Sequence, residues 1–170
     1  FLKYAVEPIM RLKTQGWFKD GSKKVLNDGT EENRVYVLDG KGSNYLTGVK
    51  DSNTWTNYVV EADVGFDDDD ENYPKYAGII GRATSTDKKT GYELGLYRKK
   101  DAATQEEVTT LRLYKRSVYQ GCINGQQNTQ EVTLEPGKMA NLKMVFRGTD
   151  IYCYYNEEIV FEVTDNDTEQ

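Results

Sequence analysis

The chain contains no histidine and only two cysteines, Cys122 and Cys153, in its 170 residues. Without histidine there is no Ser-His-Asp or Cys-His nucleophile site, no mixed Cys and His zinc site, and no imidazole general base. Two cysteines are too few for a disulfide framework, and no second pair offers metal-ligand spacing; a single bridge and two buried thiols both stay open. No apolar run reaches the roughly 18 residues of a membrane span, so no membrane insertion is expected. The opening FLKYAVEPIM carries no signal-peptide pattern and is expected to continue from neighbouring modules of a longer chain. Positive charge is short as well. Lys and Arg total 22 against 28 Asp and Glu, a net charge of −6, and the basic residues are scattered. A nucleic acid needs clustered Lys and Arg to neutralise its phosphates, so none is expected as a partner.

What is present is enough apolar material for one compact domain, 37% of residues, which at this length buries roughly 70% of the unfolded chain's surface. Thirteen Tyr, with many Asn, Asp, Thr and Gly, match the composition of extracellular β-rich domains that meet sugars or proteins. Apolar residues recur with period two, and no long segment holds them at helical spacing, so the expectation is an all-β fold. In YVVEADVGF (58 to 66), Tyr58, Val60, Ala62, Val64 and Phe66 share one face while Val59, Glu61 and Asp63 share the other. AGIIGRA (77 to 83) leads through a polar loop to YELGLYR (92 to 98), where Tyr92, Leu94 and Leu96 alternate with Glu93, Gly95 and Tyr97. TTLRLYKRS (109 to 117) turns Leu111 and Leu113 inward and Arg112 and Tyr114 outward. These strands are expected to form one sheet, with 58 to 66 beside 77 to 83.

Short strands at 21 to 29, 33 to 40 and 44 to 49 precede Trp55, and VTLEPGK (132 to 138), NLKMVFRG and IYCYYNEEIVFEVTD follow. Pro136-Gly137, Gly148 to Asp150 and Asn156-Glu157 mark turns between close strands, as in a sandwich. Cys153 shares parity with Ile151 and Tyr155 and is expected in the core. The acidic run Asp67, Asp68, Asp69, Asp70 and Glu71 is a solvated loop whose oxygens suit a hard cation such as calcium, although the spacing is not that of an EF-hand.

Taken in order, TWTNYVVEADVGF, AGIIGRATS, GYELGLYR, TLRLYKR and LEPGKMANLKMVFRGTDIYCYYNEEIVFEVTD resemble successive strands of the concanavalin A-like lectin/glucanase jelly roll. That fold is a sandwich of two antiparallel sheets, and the resemblance covers about residues 16 to 168. Within it the chain looks like a laminin-G-like domain, and more narrowly like bacterial carbohydrate-binding modules of family 66. The narrower resemblance implies that Glu61, Asp63 and Arg82 contact the hydroxyls of a glycan, of the terminal-fructose type. Carboxylates two apart on a strand share a face, and a guanidinium fork can orient them. Tyr97 and Tyr114 offer a wall for stacking on the apolar face of a sugar ring, with Glu93 beside them. The competing reading of Glu61 and Arg82 is an ordinary cross-strand ion pair.

Glycoside hydrolases of family 16 use Glu-x-Asp-x-x-Glu on a strand of this fold, but here the last position is Phe66. The second catalytic carboxylate is missing, and Glu93 replaces it only within about 5 to 10 Å. No enzyme is expected. The leading expectation is therefore a non-catalytic, glycan-binding module of a secreted or surface-anchored protein. The alternatives are an adhesion module that binds a protein through loops around the acidic run, and a structural spacer. Residues 1 to 15 resemble the final strand of such a module, either a preceding one or a swapped or permuted one. Residues 16 to 170 form the jelly roll without its usual closing strands, which predicts strand-swapped self-association.

Overall fold

The computed structural model describes residues 56–66, 74–82, 90–116 and 118–166, together with the backbone of four short strands before residue 50. The expectations placed on residues 1 to 15 and on Asp67 to Asp70 lie outside the described residues. By compactness the chain divides into two units, residues 1–54 with 84–88, and residues 55–83 with 89–170. In the first, β1 (Trp17–Lys19) pairs antiparallel with β4 (Thr47–Val49), and β2 (Lys23–Asn27) pairs antiparallel with β3 (Arg34–Leu38).

The second unit is a sandwich of two four-stranded antiparallel sheets. One sheet runs in the order β12, β11, β10, β5, built from Glu158–Thr164, Asp150–Tyr155, Ala140–Arg147 and Tyr58–Val64. The other runs β6, β7, β8, β9, built from Lys75–Gly81, Tyr92–Lys100, Glu107–Lys115 and Asn128–Glu131. The alternation expected from sequence is the alternation of burial. Leu94, Leu96, Leu111 and Leu113 meet Leu142, Met144, Phe146, Ile151 and Cys153 between the sheets, all nearly or wholly buried. Each apolar side chain of this size stabilises the fold by about 1.5–3 kcal/mol when fully buried. Cys122 and Cys153 are free thiols, and burial pushes the Cys153 thiol up to about 12.

Each end of the core is closed by an arginine laid on a phenylalanine. Buried Arg98, on the inward face of β7, sits 4.7 Å above the Phe66 ring and donates from Nε to Thr109 Oγ1 (3.1 Å) and from Nη2 to the Leu134 carbonyl (2.8 Å). Arg82 lies 4.8 Å from the Phe146 ring centroid. A buried carboxylate completes the packing: Asp165, fully shielded, accepts hydrogen bonds from Tyr92 Oη and Lys115 Nζ, both at 2.6 Å.

Two expectations are corrected. β5 does not neighbour β6: it pairs with β10, so the chain crosses from one sheet to the other between Val64 and Lys75. Alternation tells which face of a strand is apolar, and both sheets of a sandwich have such a face. Residues 132 to 138 are not a strand. The ladder instead takes the polar segment Asn128–Glu131 as an edge strand, which needs backbone pairing on one side only and no apolar face.

Candidate functional site

On the outer face of the β6–β9 sheet, the register stacks three rows across the strands. Tyr76 lies opposite Tyr97, and Tyr97 opposite Thr110; Gly78 lies opposite Gly95, Gly95 opposite Arg112, and Arg112 opposite Thr129; Ile80 lies opposite Glu93, and Glu93 opposite Tyr114. The middle row has no side chain on two of its strands. Tyr76 fills that gap: its ring leans over Gly95, where a Cβ would collide with the hydroxyl and adjoining ring carbons, and Oη donates to Glu93 Oε1 at 2.5 Å. The residue nevertheless stays 47% exposed, so the sheet carries an aromatic platform held from beneath. Burial of the hydroxyl, reinforced by the negative charge of Glu93, holds the Tyr76 phenol well above its ordinary range. It therefore stays a neutral donor to that carboxylate.

Glu93 in turn is ion-paired with Arg116, a buried residue just past β8. Arg112 stacks on the Tyr97 ring at 4.2 Å, and its Nε is buried without an acceptor among the described residues. Tyr114, 38% exposed, is backed by Gly121. Gly121 adopts φ +66°, and any Cβ there would enter the Tyr114 ring. Together Tyr76, Glu93, Tyr97, Arg112 and Tyr114 line an open depression of about 150 Å³. A second of about 280 Å³ adjoins it, sharing Arg112 and Tyr114 and continuing past Gln120, Gln127 and Thr129.

Glu61 and Asp63 stand elsewhere, on the outer face of the opposite sheet. Both accept from Asn141 Nδ2, at 3.2 and 2.9 Å, with Lys143 opposite Glu61 in the register. Arg82 joins neither cluster. It has a left-handed φ of 52°, donates its backbone N–H to Tyr58 Oη, and donates from Nη2 to the carbonyls of Thr56 (2.9 Å) and Gly148, while Nη1 is buried without an acceptor among the described residues. It makes no ion pair with Glu61; it clamps the Phe146 end of the core. Of the residues singled out in the sequence, the structure thus brings Glu93, Tyr97 and Tyr114 together and sets Glu61 with Asp63 apart from them. Stacked sheets lie about 10 Å apart, so Glu61 and Glu93, on opposed outer faces, do not flank a common glycosidic bond. Among the described residues no three His, Cys, Asp or Glu side chains converge on a metal position.

No protein-family model and no curated protein matches the chain. Among solved structures it is similar to the carbohydrate-binding module CBM66 from Bacillus subtilis, with a TM-score of 0.54 and 18% identity over 88% of this chain and 80% of that one. The two share a fold. With two packed antiparallel sheets, it is the jelly-roll sandwich that the order of strand motifs predicts. The likeness is one of architecture.

Sequence reasoning missed Tyr76 and Arg112 as site residues. Arg112 was legible as outward-facing, with the parity of Tyr114 on its own strand. Tyr76 had a signal too, since it lies two residues before Gly78 on the same parity, but the strand was expected to begin one residue after it.

Proposed function

We propose that this chain is a non-catalytic carbohydrate-binding module that takes a glycan on the outer face of the β6–β9 sheet and works outside the cell. The observation that carries the reading is the open depression bounded by Tyr76, Tyr97 and Tyr114, with Glu93 and Arg112 in its wall. Sugar rings offer an apolar face of C–H groups and a rim of hydroxyls. The exposed rings of Tyr76 and Tyr114 match the first, and a fixed carboxylate beside a guanidinium matches the second. The similar solved structure is itself a carbohydrate-binding module, which supports carrying that role to this fold. No helix among the described residues is long and apolar enough to cross a membrane.

A second reading rests on Glu61, Asp63 and Asn141, whose Oδ1 is buried without a donor among the described residues. It is ranked below the first because that cluster has no aromatic platform and Arg82 is committed to backbone carbonyls. A glycan array run on the wild type, Tyr114→Ala and Glu61→Ala tests both. The array is run with calcium and with chelator, since the Asp67 to Asp70 run has the oxygens a hard cation takes. The expected outcome is binding to one glycan class, reduced about fivefold or more by Tyr114→Ala and unchanged by Glu61→Ala, the size of one lost ring stack of roughly 1 kcal/mol. The reverse pattern would move the site to the β5–β10 face. Silence on all glycans would favour adhesion to a protein or a spacer.

A further inference from the structure

The charges around the depression do not balance. Glu93 is neutralised by Arg116 and bonded by Tyr76. Arg112 has no carboxylate within ion-pair distance among the described residues: its stacking on Tyr97 leaves the guanidinium charged and its Nε without an acceptor. Glu131 shares the outer face but stands on the edge strand opposite Thr110, exposed and not bridged to Arg112. In a chain of net charge −6, an arginine left without an acid among the described residues, at the wall between two adjoining depressions, marks a place for a negative charge from outside.

We infer that the ligand is an acidic glycan, a chain of uronic-acid type, whose carboxylate is received by Arg112 while its neighbouring units lie across both depressions. This rests on the glycan-binding reading of the same face. A guanidinium already stacked on an aromatic ring is pre-oriented, so it forms two parallel N–H···O bonds to a planar carboxylate with little further ordering. Gln120, Gln127 and Thr129 line the adjoining depression with amide and hydroxyl groups suited to the hydroxyls of the next unit.

The probes are a galacturonate oligomer, the same oligomer fully methyl-esterified, and a sulfated oligosaccharide of equal length, each titrated against wild type, Arg112→Gln and Arg112→Lys, with thermal melts confirming that the variants fold. The acidic oligomer should bind the wild type at least tenfold more tightly than its ester, and less tightly as salt rises. Arg112→Gln should erase that preference to within about twofold, while Arg112→Lys should keep part of it. An ester that binds as well as the acid would overturn the inference. So would an acid preference that survives in Arg112→Gln, or tighter binding of the sulfated probe. If neutral glycans bind in a Tyr114-dependent way with no preference for acid, the glycan-binding reading stands and this inference falls. If no glycan binds, both fall.

Discussion

Asp165→Ala should lower the unfolding free energy by about 3 kcal/mol, at the low end of the roughly 3–5 kcal/mol seen when one partner of a buried ion pair is removed. The carboxylate is fully buried and takes hydrogen bonds from Tyr92 and Lys115, at 2.6 Å each. Truncation leaves a buried phenol without that acceptor and an ammonium without that counter-charge. Lys115 keeps some contact with solvent, which is why the low end is expected. In a domain of this size that loss corresponds to a melting temperature lower by roughly 6–12 °C. Asp165→Asn keeps an oxygen for both donors and should cost clearly less. Urea titration with an unchanged slope for both variants is the measurement. A neutral Asp165→Ala would mean that the end of β12 is not docked as described.

Gly95→Ala should leave stability within about 1 kcal/mol of the wild type and weaken glycan binding roughly tenfold, about 1.4 kcal/mol. The added methyl occupies the place of the Tyr76 hydroxyl and its ring carbons. A flexible side chain can move aside at little cost to the fold, but moving it breaks the bond to Glu93 and tilts the platform out of the depression. Isothermal titration beside a thermal melt separates the two effects. Loss of binding with an intact fold supports the platform, and full binding in Gly95→Ala would show that the Tyr76 ring is not part of the site.

The two predictions differ in how far the sequence foretold them. Alternation in residues 58 to 66, 92 to 98, 109 to 117 and 141 to 148 was enough to name the strands and the inward side chains, because one buried face per strand imposes period two. It could not say to which sheet β5 belongs, and that single ambiguity split the expected site. With β5 paired to β10, Glu61 and Asp63 share Asn141 and are lost to the tyrosine face. Arg82 was not readable either. Its left-handed backbone turns the guanidinium back over Phe146, and no pattern of residue types announces a positive φ at an arginine. Asp165 lay beyond the last alternating residue, where an acid ordinarily signals a solvated end.

The glycines tell a complementary story. A glycine inside a strand ordinarily weakens it. Here Gly78 and Gly95 are neighbours on one face, and the absence of two side chains is what admits the Tyr76 ring. The outward row Gly78, Gly95, Arg112 is thus a feature of the surface, combining a hollow, a platform and a charge across three strands.

The face that takes the glycan is located by an amide chemical-shift titration of the isotopically labelled chain with the glycan class that binds best on the array. Saturable shifts are expected at Gly78, Glu93, Gly95, Tyr97, Arg112 and Tyr114, with Glu61, Asp63 and Asn141 unmoved. Shifts concentrated at Glu61, Asp63, Asn141 and Lys143, with the Gly78 to Arg112 row silent, would contradict a glycan site on the β6–β9 sheet.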